Sequence, residues 1–191
     1  SGDKRNSSKA SFKIGSLSYQ RLLIIFSSHS CKSYCIIKYV ILKGCKIMKI
    51  LLINGANLNM LGTREPEKYG SMTLADIENS VIKRGKELGA EIDVFQDNHE
   101  GNIVDKIQSA RGKYDGILIN AGGYTHTSVV IRDALAAIQI PAVEIHMTNI
   151  HAREEFRHTS LISGVCIAQI VGFKELSYIL ALEGLVNYLN S

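Results

Sequence analysis

The sequence predicts an α/β fold, a three-layer sandwich in which a five-stranded parallel sheet carries helices on both faces. Three observations predict it. From Met48 onward, short apolar runs of strand length alternate with amphipathic stretches of helical period. The apolar runs are nearly continuous, as strands buried on both faces are. The long polar loops follow the first, third and fourth runs, where a doubly wound sheet would place a ligand beyond the carboxyl ends of its strands.

Each element has its own justification. Strand one is Lys49–Asn54, within an apolar run that begins at Met48. Helix one covers about Thr73–Leu88. It opens on a capping-box-like TLAD, stops at Gly89, and sets Leu74, Ile77, Val81 and Leu88 on one face. Strand two is Glu91–Gln96. Helix two is about Asn102–Lys113, with Ile103, Ile107 and Ala110 inward. Strand three is Gly116–Asn120, and helix three is about Ser128–Ile138. Strand four starts at Pro141, where a missing N–H is tolerated. A short helix, AREEF, is expected next, then strand five over Val165–Val171 and a last helix over Lys174–Leu189. For this size the expected strand order is 2-1-3-4-5, the flavodoxin-like arrangement, with its switch point between strands one and three.

Charge separates the chain into two parts. Nine of the 22 Lys and Arg residues and one of the 18 acids, Asp3, lie in residues 1–47, leaving that stretch at +8 and the remainder at −4. The basic balance therefore does not argue for nucleic-acid binding by the folded part. Cys31, Cys35 and Cys45 also lie in the basic stretch. The body keeps only Cys166, in an apolar run that suits core packing, and a reducing cytoplasm fits. The apolar pieces RLLIIF and YCIIKYVIL are too short to span a bilayer, so no membrane partner is expected. Residues 1–47 are expected to be non-native or disordered, with Met48 the native start and 48–191 the catalytic domain.

The loop after strand one, NGANLNMLGTREPEKYG, is longer than a connection requires. It brings Asn57, Arg64 and Tyr69 to the switch point, and Gly62 and Gly70 bracket a segment that suits a lid. A surface anchor for Tyr69 and a solvated charge for Arg64 are the plainer alternatives. The loop after strand three, NAGGYTHTS, brings Asn120 and His126 next to two glycines that permit close backbone approach. Thr125 or Ser128 could cap helix three there, with His126 only packing beside it. Strand four ends in Glu144 and His146, which period-two alternation puts on one face. A carboxylate beside an imidazole can orient it. Arg157 could clamp hydroxyls or a carboxylate, and Arg153 could equally pair with Glu154 or Glu155.

Several chemistries are excluded. There is no GxxxxGK[ST], no GxGxxG, no GxSxG and no acidic pair after strand one. The five body histidines lack a metal-ligand spacing. What remains is a Tyr, a His, several Arg and three Asn, a set suited to metal-free proton transfer on an oxygenated anion.

These blocks, together with FQDNHEG, INAGGYTHTSVVIRDAL and EIHMTNIHAREEFRHTS, resemble the type II 3-dehydroquinate dehydratases of the shikimate and quinate pathways. The similarity runs from Met48 to about Leu189. It implies loss of water from 3-dehydroquinate through an enolate, giving 3-dehydroshikimate, with no metal, cofactor or Schiff base. By the same resemblance Tyr69 is the general base, and Arg64 favours its phenolate. His146 is the general acid, supported by Glu144, and Asn57 holds a water against the enolate oxygen. Asn120, His126, Met147, Thr148 and Arg157 match substrate-binding positions. Asp133 matches an aspartate that reaches a neighbour's site, which implies a homo-oligomer, a dodecamer built from trimers. The chain departs from the usual pattern at Ala56, Gly123, Thr159, Lys174 and Glu175, none of them a proposed catalytic group. A flavodoxin-like binding module and an inactive assembly protein are the competing readings.

Overall fold

The computed structural model describes residues 47–62 and 72–191. Five strands form one parallel sheet: β1 (Met48–Asn54), β2 (Ala90–Gln96), β3 (Gly116–Asn120), β4 (Ala142–His146) and β5 (Ala168–Val171). Their order is β2-β1-β3-β4-β5, as the sequence predicts. Among the described residues four α-helices complete the layers: α1 (Leu74–Glu87), α2 (Glu100–Ser109), α3 (Val129–Ile138) and α4 (Leu176–Asn190).

Alternation along β1 builds both cores. Ile50 and Leu52 pack with Ile77 and Val81 of α1 and with Ala181 and Leu182 of α4. Leu51 and Ile53 face the other way, onto Ile103 and Ile107 of α2 and Ile131 and Leu135 of α3. All four β1 side chains are fully buried. Each such side chain contributes about 1.5–3 kcal/mol by leaving water. The expected cap of α1 is present. The Thr73 hydroxyl accepts the Asp76 N–H at 3.2 Å, and the Asp76 carboxylate accepts the Thr73 N–H at 3.0 Å.

The last helix starts at Leu176 instead of Lys174, which has a φ of +51°, and three other boundaries differ more. Helix α2 runs over Glu100–Ser109 instead of Asn102–Lys113. Asp97 accepts both the His99 N–H (2.7 Å) and Asn102 Nδ2 (2.9 Å), so the helix starts earlier. Beyond Ser109 the chain tightens into turns toward Gly112, whose φ of +74° ends the helix. The segment expected to hold one short helix folds instead as two 3₁₀ turns, Ile150–Ala152 and Glu155–Arg157. Strand β5 begins at Ala168 because Ser163–Val165 forms a further 3₁₀ turn.

Strands β1 and β3 end side by side and their loops then cross in close backbone contact. The Gly55 N–H donates to the Asn120 carbonyl at 2.7 Å. A Cβ on Gly55 would lie 2.4 Å from the Ala121 carbonyl oxygen, and one on Gly122 would lie 2.8 Å from the Ala56 oxygen. Gly122 also has a φ of +62°. Only glycine fits this crossing, which brings the two loops to one place. Gly55→Ala is therefore expected to destabilise the protein by about 2 kcal/mol or more. Denaturant unfolding checks it, and an unchanged midpoint would contradict the crossing.

Candidate active site

The polar loops converge in a cleft of about 160 Å³ beyond the carboxyl ends of β1, β3 and β4. That size suits a compact single-ring ligand better than a dinucleotide. Asn57, Asn120, His126, His146, Met147, Thr148 and Arg157 all line it.

The centre is on β4. Glu144 and His146 point to one face, and His146 Nε2 lies 2.6 Å from Glu144 Oε1. Glu144 is fully buried and His146 nearly so. The carboxylate accepts the Nε2 proton, which fixes the ring and leaves Nδ1 for other partners. Ser160, absent from the sequence reading, donates its hydroxyl to the same carboxylate, with Oγ 2.9 Å from both oxygens. A buried carboxylate needs such partners.

His126 is positioned independently. It sits in the 3₁₀ turn Gly122–His126, and its Nδ1 donates to the Thr159 carbonyl at 2.8 Å. Its ring stacks on His146 at 6.2 Å between centroids, with the planes 20° apart. Partial burial holds the His126 pKa below that of an ordinary imidazole. The Thr159 hydrogen bond opposes this, while the proximity of His146 and Arg157 adds to it. The neutral ring therefore keeps Nε2 as an acceptor. Helix α3 is capped by Ser128, whose hydroxyl accepts the Ile131 N–H at 3.0 Å.

Asn57 sits in a left-handed conformation, φ +69°, and its N–H donates to Asn98 Oδ1 at 2.9 Å. The Asn98 carbonyl accepts the Tyr124 hydroxyl at 2.8 Å. Asn98 thus ties together the loops that follow β1, β2 and β3, a role the sequence reading did not assign. Arg157 Nε pairs with Glu154 at 2.9 Å. Arg153 also lines the cleft, lies 3.5 Å from Glu154, and reaches Thr148 Oγ1 at 3.4 Å.

Asp133 does not reach its own cleft. It lies on the exposed face of α3 and pairs with Arg132 at 3.2 Å. The proposed lid with Arg64 and Tyr69 lies outside the described residues. Among the described residues, no three His, Cys, Asp or Glu side chains come together to hold a metal ion. Nor is any helix there long and apolar enough to cross a membrane.

The fold and cleft define a flavodoxin-like α/β protein with a compact, polar, histidine-centred site at its switch point. Comparison with known proteins narrows the class. The family model for dehydroquinase class II matches residues 48–186. The chain is 56% identical over 142 residues to a 3-dehydroquinate dehydratase of Geotalea daltonii, covering 74% of this chain and 99% of the relative. It is also 56% identical over 142 residues to a catabolic 3-dehydroquinase of Debaryomyces hansenii, with the same coverage of both chains. A crystal structure of a type II dehydroquinase from Butyrivibrio crossotus, 47% identical, superposes with a TM-score of 0.71 over 75% of this chain and 98% of that one. The chain belongs to the class II dehydroquinase family.

Because burial disfavours its charged form, His126 is expected to titrate below the ordinary imidazole value of about 6.5. Above that pH both folded and unfolded chains carry it neutral. On acidification the unfolded chain takes up the proton first. Its contribution to stability is thus present above about pH 6.5 and is lost as pH falls through the folded midpoint. NMR titration of the ring checks the direction, and a midpoint at or above 6.5 would contradict it.

Proposed function

We propose that this protein is a type II 3-dehydroquinate dehydratase, a hydro-lyase that removes water from 3-dehydroquinate to give 3-dehydroshikimate. The observation that carries the reading is the buried Glu144–His146 pair opening onto a cleft with Asn57, Asn120, His126 and Arg157. The relatives at 56% identity are named for the same reaction. The role lies in the shikimate pathway or in quinate breakdown.

In this mechanism Tyr69 removes a proton from the carbon beside the ketone. A phenol of ordinary pKa near 10 is a poor base at neutral pH, so the Arg64 guanidinium favours its phenolate. The resulting enolate is met by a water held on Asn57. His146, oriented by Glu144, protonates the departing hydroxyl, and Met147, Thr148 and Arg157 receive the substrate carboxylate and hydroxyls. The steps use no cofactor, metal or Schiff base.

The catalytic domain is residues 48–191, with 1–47 outside it. A cytoplasmic location fits Cys166, a free thiol whose pKa burial pushes up to about 12, with the Glu144 charge adding to the shift. The protein assembles as a dodecamer of trimers in which Asp133 completes a neighbour's site. The outward position of Asp133 supports this, as do the exposed Val129 and Val130 on the same helix.

Mixing the protein with 3-dehydroquinate is expected to raise the ultraviolet absorbance of a conjugated enone. A folded protein giving no signal would overturn the reading. Tyr69→Phe is expected to lower kcat by about two orders of magnitude or more while leaving the fold intact. Near-normal turnover would move the base elsewhere. Light scattering of the full chain is expected to report an oligomer, and Asp133→Ala to raise KM. A fully active monomer would refute the shared site.

A further inference from the structure

Behind the cleft, a line of side chains runs from Asn120 along the face of the sheet that α1 and α4 cover. Asn120 Nδ2 donates to the Tyr178 hydroxyl on α4 at 2.8 Å. That hydroxyl donates to Asn54 Oδ1, at the end of β1, at 3.0 Å. Asn54 Nδ2 donates to Glu78 Oε1 on α1 at 2.9 Å. Asn54, Asn120 and Tyr178 are buried, and Glu78 is partly so. The reaction proposed above uses none of Asn54, Glu78 and Tyr178.

The line has a direction, and both ends enforce it. A carboxylate only accepts, so Asn54 must turn its NH₂ to Glu78 and its oxygen to Tyr178. Burial pushes the Tyr178 pKa up, so its hydroxyl stays protonated and donates to that oxygen. Its lone pair then requires the NH₂ of Asn120. At the cleft end the Gly122 N–H donates to Asn120 Oδ1 at 3.2 Å, which demands the same orientation. Reversing any amide would set donor against donor or leave buried groups unpaired. One N–H of Asn120 is left over, in a residue that lines the cleft.

We propose that Tyr178 and Glu78 are positioning residues for substrate, holding Asn120 so that it offers an N–H donor to a ligand oxygen. The inference rests on the dehydratase reading for the identity of that ligand. A site set this way favours a hydroxyl or carboxylate oxygen at Asn120 and rejects a donor-only group. Because the interaction is made equally with bound substrate and with the transition state, its loss appears in KM and not in kcat.

The test compares wild type, Tyr178→Phe and Glu78→Gln in steady-state turnover of 3-dehydroquinate, with the Asn120 side-chain amide read by NMR in the free proteins. Tyr178→Phe removes only the hydroxyl. It is expected to raise KM about five- to tenfold with kcat changed less than about twofold. Glu78→Gln, which removes the charge that fixes the direction, is expected to raise KM by a smaller factor. The Asn120 side-chain amide resonances are expected to shift in both variants, and the proton facing Tyr178 to exchange faster with solvent than in wild type. Folded variants with wild-type KM would overturn the proposal, whatever their melting temperatures, because a purely structural role moves stability alone. If Tyr178→Phe does not fold, Glu78→Gln decides by the same criteria. A wild type without turnover would sink the dehydratase reading instead, and an amide pair unchanged between wild type and variants would then sink the relay separately.

Discussion

Glu144 is a carboxylate with no exposed surface, in the central part of a parallel sheet between Ile119 of β3 and Gln169 of β5. Leaving such a group unpartnered costs several kcal/mol, so its surroundings are constrained. One partner comes from its own strand, His146, two residues along on the same face. The other, Ser160, comes from the chain that returns after β4. That return also carries the Thr159 carbonyl to His126 and the Leu161 N–H to the Thr125 carbonyl. One buried charge thus recruits the segment that joins the β4 end of the cleft to the loop after β3.

The two stacked histidines are consequently set apart by their partners. His146 faces a carboxylate through Nε2, and His126 faces a carbonyl through Nδ1. The first carries a negative charge opposite any proton it gains. The second, partly desolvated and beside Arg157, is held neutral. The division suits one ring to proton donation and the other to accepting a substrate hydroxyl. The glycine crossing at Gly55 and Gly122 supplies the remaining geometry by letting Asn57 approach from the other side of the switch point.

Much of this was legible in the sequence because it is local or periodic. Alternating apolar runs gave the layers, chain size and the placing of the polar loops gave the strand order, TLAD gave the α1 cap, and period two put Glu144 with His146. The polar loops pointed to Asn57, Asn120, His126, His146 and Arg157, and the family resemblance added Met147 and Thr148. Ser160 and Asn98 were not legible, since they act on residues 16 and 41 positions away and look like ordinary polar loop residues. The Asn54–Tyr178 contact spans 124 positions and has no sequence signal beyond an unremarked tyrosine in an amphipathic helix. AREEF has the composition of a helix, yet the chain there turns twice in 3₁₀ form, because it must return Thr159 and Ser160 to the site.

The hydrogen bonds that Glu144 makes to His146 and Ser160 organise the fold around it, and its charge serves the chemistry. Replacing Glu144 by the isosteric amide separates the two. Glu144→Gln keeps the volume and a hydrogen-bond acceptor for His146 while removing a buried charge. Its thermal stability is expected to match or exceed that of the parent. Turnover of 3-dehydroquinate is the measurement that decides. A fall in kcat of about two orders of magnitude is expected in a fully folded protein. A folded Glu144→Gln enzyme with kcat near that of the parent would contradict that role of the charge.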